Sequence, residues 1–119
     1  MVVDDEINNR KLIEAYLSPY YVNVFIASSG AEAIEICKKN PDLKLVLMDI
    51  IMEGMNGFEA AGRILHTRED ITIVYQTAYA KELLKDVFMS SLVCGFIEKP
   101  IRKETLSHIA LETKYSVYL

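Results

Sequence analysis

Apolar residues along this chain fall into two alternating patterns. Short runs rich in β-branched and aliphatic side chains recur at Met1–Val3, Val22–Ala27, Leu43–Met48, Ile71–Gln76 and Cys94–Ile97. Several are apolar on successive residues, the pattern of strands covered on both faces. Between them lie segments with helical spacing. Residues Glu6–Leu17 place Ile13, Tyr16 and Leu17 on one face, and Pro19 stops the helix soon after. Ser29–Lys39 opens with Ser29-Gly30-Ala31-Glu32, a capping-box spacing, and presents Ala33, Ile34 and Cys37. Asn56–Thr67 presents Phe58, Ala61, Gly62 and Leu65, and Ala80–Ser91 carries a stripe of Leu83, Leu84, Val87 and Phe88. Lys103–Lys114 presents Leu106, Ile109, Ala110 and Thr113. Five strands alternating with five helices predict an α/β fold, (βα)5, with right-handed crossovers and a mainly parallel sheet.

Composition narrows the picture. The chain has 119 residues, 51% of them hydrophobic and 25% charged, which is globular composition sized for one domain over 1–119. A chain of this length buries roughly 65% of its unfolded surface, so its core needs no disulfide or metal staple. The net charge of −4 argues against a nucleic-acid or anionic-membrane surface. The longest apolar runs are Val24–Ala27 and Leu45–Met48, far too short for a membrane span, and no secretory signal is expected from the opening residues. Cys37 and Cys94 lack metal-ligand spacing, so the expectation is two reduced, buried cysteines in a cytoplasmic protein.

Sheets of this kind bind ligands beyond the carboxyl ends of their strands. The residues there are Asp4, Asp5 and Glu6 after the first strand, Asp49 after the third, Thr77 and Ala78 after the fourth, and Lys99 followed by Pro100 after the fifth. Singly, each has a plain structural reading: a turn or cap for Asp4-Asp5, a strand-end carboxylate, an N-cap, a surface lysine. Together they place carboxylates, a hydroxyl and an ammonium on one edge of the sheet. Crowded carboxylates raise one another's pKa, and a hard divalent cation such as Mg2+ relieves the repulsion through oxygen ligands. A carboxylate beside Mg2+ can act as a nucleophile towards phosphorus, with metal and ammonium neutralising the phosphoryl oxygens. No glycine-rich phosphate loop is present.

These residues resemble the receiver domains of two-component response regulators. The resemblance covers nearly the whole chain and is carried by Val3-Asp4-Asp5-Glu6, Leu47-Met48-Asp49-Ile50, Met52 through Gly57, Thr77-Ala78-Tyr79-Ala80 and Phe96-Ile97-Glu98-Lys99-Pro100. It implies a doubly wound, flavodoxin-like sheet of strand order 2-1-3-4-5. It further implies Asp49 as phosphoacceptor, with Mg2+ held by Asp4, Asp5, Asp49 and the backbone carbonyl of Ile51. Thr77 and Lys99 would stabilise the phosphoryl group, while Phe96, Tyr79 and Pro100 would belong to the switch, Pro100 through a cis Lys-Pro peptide. The output surface would comprise residues 80–91, Phe96 and 103–114. The implied partners are a histidine kinase or a histidine phosphotransfer domain, with an output domain or hybrid-kinase core outside this chain and a homodimer as open arrangements. Asn8-Asn9-Arg10 and Gln76 through Ala80 look more like receivers of hybrid sensor kinases than like those of transcription factors.

The chain departs from the family pattern in places. Glu53 stands where proline is usual, which loosens the loop after Asp49 and adds a carboxylate near the pocket. The expectation is a modest change in Mg2+ affinity, checked by titrating Glu53→Pro; an unchanged titration would contradict it. Ile51 and Tyr79 are bulky where hydrolytic water would pass, which predicts a long phosphoryl lifetime. The first strand is short, so a few apolar residues are expected before Met1. Leu92 stands where a turn glycine is common, and His66 and His108 read as surface residues. Three other readings compete. A Mg2+-dependent aspartate-nucleophile phosphatase usually shows Asp-x-Asp, absent from Asp49-Ile50-Ile51. A flavin-binding protein would meet phosphate repulsion at Asp4-Asp5-Glu6. A phosphorylation-independent pseudo-receiver is opposed by the complete set of pocket residues.

Overall fold

A computed structural model describes residues 1–20, 23–78 and 95–116. Five strands form one sheet in the order β2-β1-β3-β4-β5, every neighbouring pair parallel. The elements in chain order are β1 (Val2–Val3), α1 (Ile7–Leu17), β2 (Ile26–Ala27), α2 (Gly30–Lys39), β3 (Leu45–Asp49), α3 (Gly57–Thr67), β4 (Thr72–Thr77), β5 (Gly95–Glu98) and α4 (Lys103–Ser116). The expected strand order is therefore present. The segment expected as a helix at 80–91 lies outside the described residues, as do Tyr79, Val22, Leu92 and Cys94.

The sheet's two faces bury separate cores. Val3, Val46, Met48, Ile73 and Tyr75 pack under α2 and α3 with Ala33, Cys37, Ala61 and Ile64. Val2, Leu45, Leu47, Val74 and Ile97 pack under α1 and α4 with Ile13, Leu17, Leu106 and Ala110. Adjacent residues of one strand thus serve opposite cores, which is why the strands read as unbroken apolar runs. All five residues of β3, at the sheet's centre, are buried.

Element ends differ from the sequence expectation where hydrogen bonding decides them. Of the described residues 23–27, Ile26 and Ala27 form the ladder, because the neighbouring β1 offers only Val2 and Val3 for pairing. Strand β3 begins two residues later than Leu43 and runs through Asp49, and β4 is Thr72–Thr77, so both candidate side chains are strand residues. Asn56 and Ser29 are N-caps: the Asn56 side chain accepts from Glu59 N–H at 2.9 Å and Ser29 Oγ from Glu32 N–H at 3.2 Å. Glu32 completes its half of the expected box one residue outward, accepting from the N–H and hydroxyl of Ser28 at 3.1 and 2.8 Å.

The buried face of α3 also differs from expectation. Gly57, Ala60, Ala61 and Ile64 are buried, whereas Phe58 and Leu65 are half-buried and Gly62 is exposed. The helix is pinned at its start. A Cβ on Gly57 would lie 2.1 Å from the Asp49 carbonyl oxygen, and Gly57 N–H donates to the Ile50 carbonyl at 2.9 Å. That contact sets the rotation of the helix, and helical spacing alone carries no such information. Gly54, at φ 80°, turns the preceding loop in the left-handed region open to glycine.

Away from the strand ends that carry the candidates, Arg68 gathers the loop from α2 to β3. Its guanidinium donates to the carbonyls of Cys37, Asn40, Pro41 and Leu43 at 2.8–3.2 Å and pairs with Asp70, which Lys44 also holds at 2.6 Å. Cys37 is buried, and desolvation pushes its thiol pKa up. His66 and His108 are exposed. Among the described residues no helix is long and apolar enough to cross a membrane.

Candidate functional site

The carboxyl ends of β1, β3, β4 and β5 meet in one pocket. β1 delivers Asp4 and Asp5, β3 ends in Asp49, β4 ends in Thr77, and Lys99 follows β5. Parallel register brings the ends level: Asp49 lies opposite Gln76, and Thr77 opposite Glu98. The Lys99 N–H donates to the Thr77 carbonyl at 2.9 Å, extending the ladder by one bond and fixing where the lysine leaves the sheet. The Lys99–Pro100 peptide is cis.

Asp4, Asp5 and Asp49 each bring a carboxylate oxygen within 4.8 Å of the others. Asp4 has no exposed surface and Asp49 is 5% exposed, while Asp5 faces solvent. The Lys99 ammonium bridges the two buried carboxylates, 3.2 Å from Asp4 Oδ2 and 3.3 Å from Asp49 Oδ2. Its charge falls short of matching the cluster. Burial, followed by the nearby Asp4, pushes the Asp49 carboxyl up to about 6, and Lys99 only partly offsets them. For Lys99 itself burial works against the charged form, but Asp49 and Asp4 outweigh it and raise its pKa. Three carboxylates against one ammonium make a donor set of hard oxygens with surplus negative charge, which fits a divalent cation of the Mg2+ kind.

Asp4 is held from several sides. Its Oδ1 accepts from Glu6 N–H at 2.9 Å, its Oδ2 from Asn9 Nδ2 as well as Lys99, and its backbone carbonyl from Arg10 at 2.7 Å. Apart from Lys99, these donors come from the start of α1, so the same turn that begins the helix orients the carboxylate. Gln76, also without exposed surface, accepts from Asn9 at 3.3 Å and donates to the Val3 carbonyl at 3.4 Å.

The structure therefore brings Asp4, Asp5, Asp49 and Lys99 into direct proximity, and Thr77 ends the adjoining strand at 1% exposure. Ile51 lies on the loop after β3 and is 57% exposed. Phe96 is half-buried on β5, its ring 5.4 Å from that of Tyr75, which in turn meets Phe58 edge-on at 4.8 Å. Tyr79 lies outside the described residues. Roles for Asn9 and Gln76 escaped the sequence reading. Their one visible signal is polarity: Gln76 interrupts the apolar column of β4, and Asn9 sits one turn into the helix after an acidic pair.

Known proteins resemble this chain over most of its length. The response regulator receiver domain family matches residues 1–111. The autoinducer 1 sensor kinase/phosphatase LuxN of Vibrio campbellii is 35% identical over 109 residues, which cover 92% of this chain and 13% of LuxN. The signal transduction histidine-protein kinase BarA of Escherichia coli is 34% identical over 116 residues, 96% of this chain and 12% of BarA. This chain thus spans about an eighth of these relatives' length. Among solved structures, a CheY-like response regulator receiver domain protein from Methanospirillum hungatei superposes with a TM-score of 0.81 at 30% identity, covering 100% of this chain and 96% of that one.

Proposed function

The chain belongs to the family of response regulator receiver domains, and from that premise we propose that Asp49 accepts a phosphoryl group from a phosphohistidine in a two-component relay. The observation that carries the reading is the meeting of Lys99 with the buried Asp49 and Asp4 carboxylates at the carboxyl edge of the sheet. Asp49 Oδ attacks phosphorus; the new O–P bond forms as the P–N bond breaks, and the imidazole leaves with the bonding pair. A carboxyl titrating near 6 is largely ionised at neutral pH, so the nucleophile is available. Lys99 follows the charge from carboxylate to phosphoryl oxygens, and the Thr77 hydroxyl donates to one of them. Asp4, Asp5 and Asp49, with the Ile51 backbone carbonyl, would hold Mg2+. Bound there, the ion neutralises carboxylate and phosphoryl charge.

In this reading residues 1–119 act as a cytoplasmic switch domain that assists only its own phosphorylation and dephosphorylation. The added charge and acceptor oxygens favour the conformation in which Thr77 and Lys99 meet them, with Phe96, Tyr79 and Pro100 passing the change to the surface of residues 80–91, β5 and α4. The donor is a histidine kinase or a histidine phosphotransfer domain. Likeness to LuxN and BarA supports a receiver that works within or beside a hybrid sensor kinase. The test is intact mass after incubation with Mg2+ and a small-molecule phosphodonor, and again with a phosphorylated histidine phosphotransfer domain. One phosphoryl group should be gained, and lost with Asp49→Asn or without Mg2+. Equal gain by Asp49→Asn, or none from either donor, refutes the assignment.

A further inference from the structure

Gln76 places a side-chain amide with no exposed surface on the β4 face whose preceding residue is Val74, in the core beneath α1 and α4. An unpaired amide there would be costly, and a leucine would fill similar space without that cost. Instead every polar end of Gln76 is engaged. Its Oε1 accepts from Asn9 at 3.3 Å, its Nε2 donates to the Val3 carbonyl at 3.4 Å, and its backbone carbonyl accepts from Ile50 N–H at 3.4 Å. One residue of β4 thus touches the neighbours in sequence of both Asp4 and Asp49. Asn9 closes the circuit. Its amide nitrogen has two hydrogens, and it donates both to Gln76 Oε1 and to Asp4 Oδ2.

We infer that Asn9 and Gln76 are positioning residues: the amide pair sets the Asp4 carboxylate and ties its position to the end of β4, where Thr77 follows Gln76. The inference deepens the proposed function and rests on it for the identity of the cation. A carboxylate that shifts towards a bound cation must pull on Asn9 or part from it, and Gln76 transmits that change to the strand end. Asn9 also limits where Asp4 Oδ2 can turn, so removing it takes orientation from one ligand.

The test uses backbone amide NMR of the full chain with Asn9→Ala and Gln76→Leu, and with the exposed Asn8→Ala as control. Asn9 lies on α1, where alanine keeps the helix. In metal-free protein, Asn9→Ala should move the Thr77 and Ile50 resonances and Asn8→Ala should not. On titration with Mg2+, wild type should show a shift at Thr77. Each variant should bind about tenfold more weakly with that shift diminished, and the double variant should be no worse than the weaker single one. Unmoved Thr77 and Ile50 in metal-free Asn9→Ala, or Mg2+ affinities of both variants within about twofold of wild type, overturn the inference. A wild type that binds no Mg2+ refutes the metal reading, while the metal-free comparison still decides the coupling.

Discussion

Replacing Asp49 by asparagine should stabilise the metal-free chain at pH 8 and leave it nearly unchanged at pH 3. Asp49 titrates at about 6 in the fold against 3.8 for an ordinary aspartate, because it is desolvated and faces Asp4. A carboxyl with a raised folded pKa favours the folded state while protonated. That contribution is intact below the unfolded value and is lost as pH rises through about 6. A difference of about two units corresponds to about 3 kcal/mol at 1.36 kcal/mol per unit. That value already includes the attraction to Lys99, but an amide replaces the carboxyl imperfectly in the hydrogen bonding beside Lys99 and Asp4, so the net gain at pH 8 should be about 1–3 kcal/mol. At about 4 °C per kcal/mol for a domain of this size, thermal melts in EDTA should rise by about 4–12 °C. At pH 3, below the unfolded value, the wild-type carboxyl is largely protonated in the fold and in the unfolded chain alike, and the two proteins should melt together. A melting temperature at pH 8 no higher than wild type, or a gain of equal size at both pH values, would refute the electrostatic argument.

Two further outcomes follow from particular contacts, and a third from the proposed function. Gly57→Ala should cost about 3 kcal/mol or more in urea unfolding, because its Cβ meets the Asp49 carbonyl oxygen at 2.1 Å and neither backbone can yield without moving the pocket; a loss under about 1 kcal/mol would show that α3 shifts freely. Arg68→Ala should lose about 2–4 kcal/mol, since four carbonyls lose a donor at once. Arg68→Lys should not restore it, because one ammonium cannot span them, and full rescue by lysine would reduce the clamp to its charge. Ile51→Asn should shorten the lifetime of the aspartyl phosphate severalfold by opening a polar path for water beside Asp49; an unchanged half-life after removal of the phosphodonor would dismiss Ile51 as the barrier.

The frame was legible in one dimension: strands apolar on successive residues, helices between them, and acidic, hydroxyl and ammonium groups at the ends of four strands. Both periodicities are local, and so is the placement of Asp49, Thr77 and Lys99 at or just past the ends of their strands; the capping of α2 by Ser29 was legible for the same reason. Which lone pair meets which donor was settled by the folding of remote segments onto one another. Asp4 and Gln76 are 72 residues apart in the chain, and nothing in the spacing of either shows that Asn9 stands between them. The rotation of α3 came from the contact of Gly57 with the backbone at Asp49, the register of β2 from the short ladder of β1, and the role of Arg68 from the carbonyls its fork reaches. Hydrophobic burial is averaged over many residues and survives as a pattern in one dimension. A hydrogen bond or a charge pair depends on a few tenths of an ångström between residues remote in sequence, so it takes form only when the sheet brings the strand ends together.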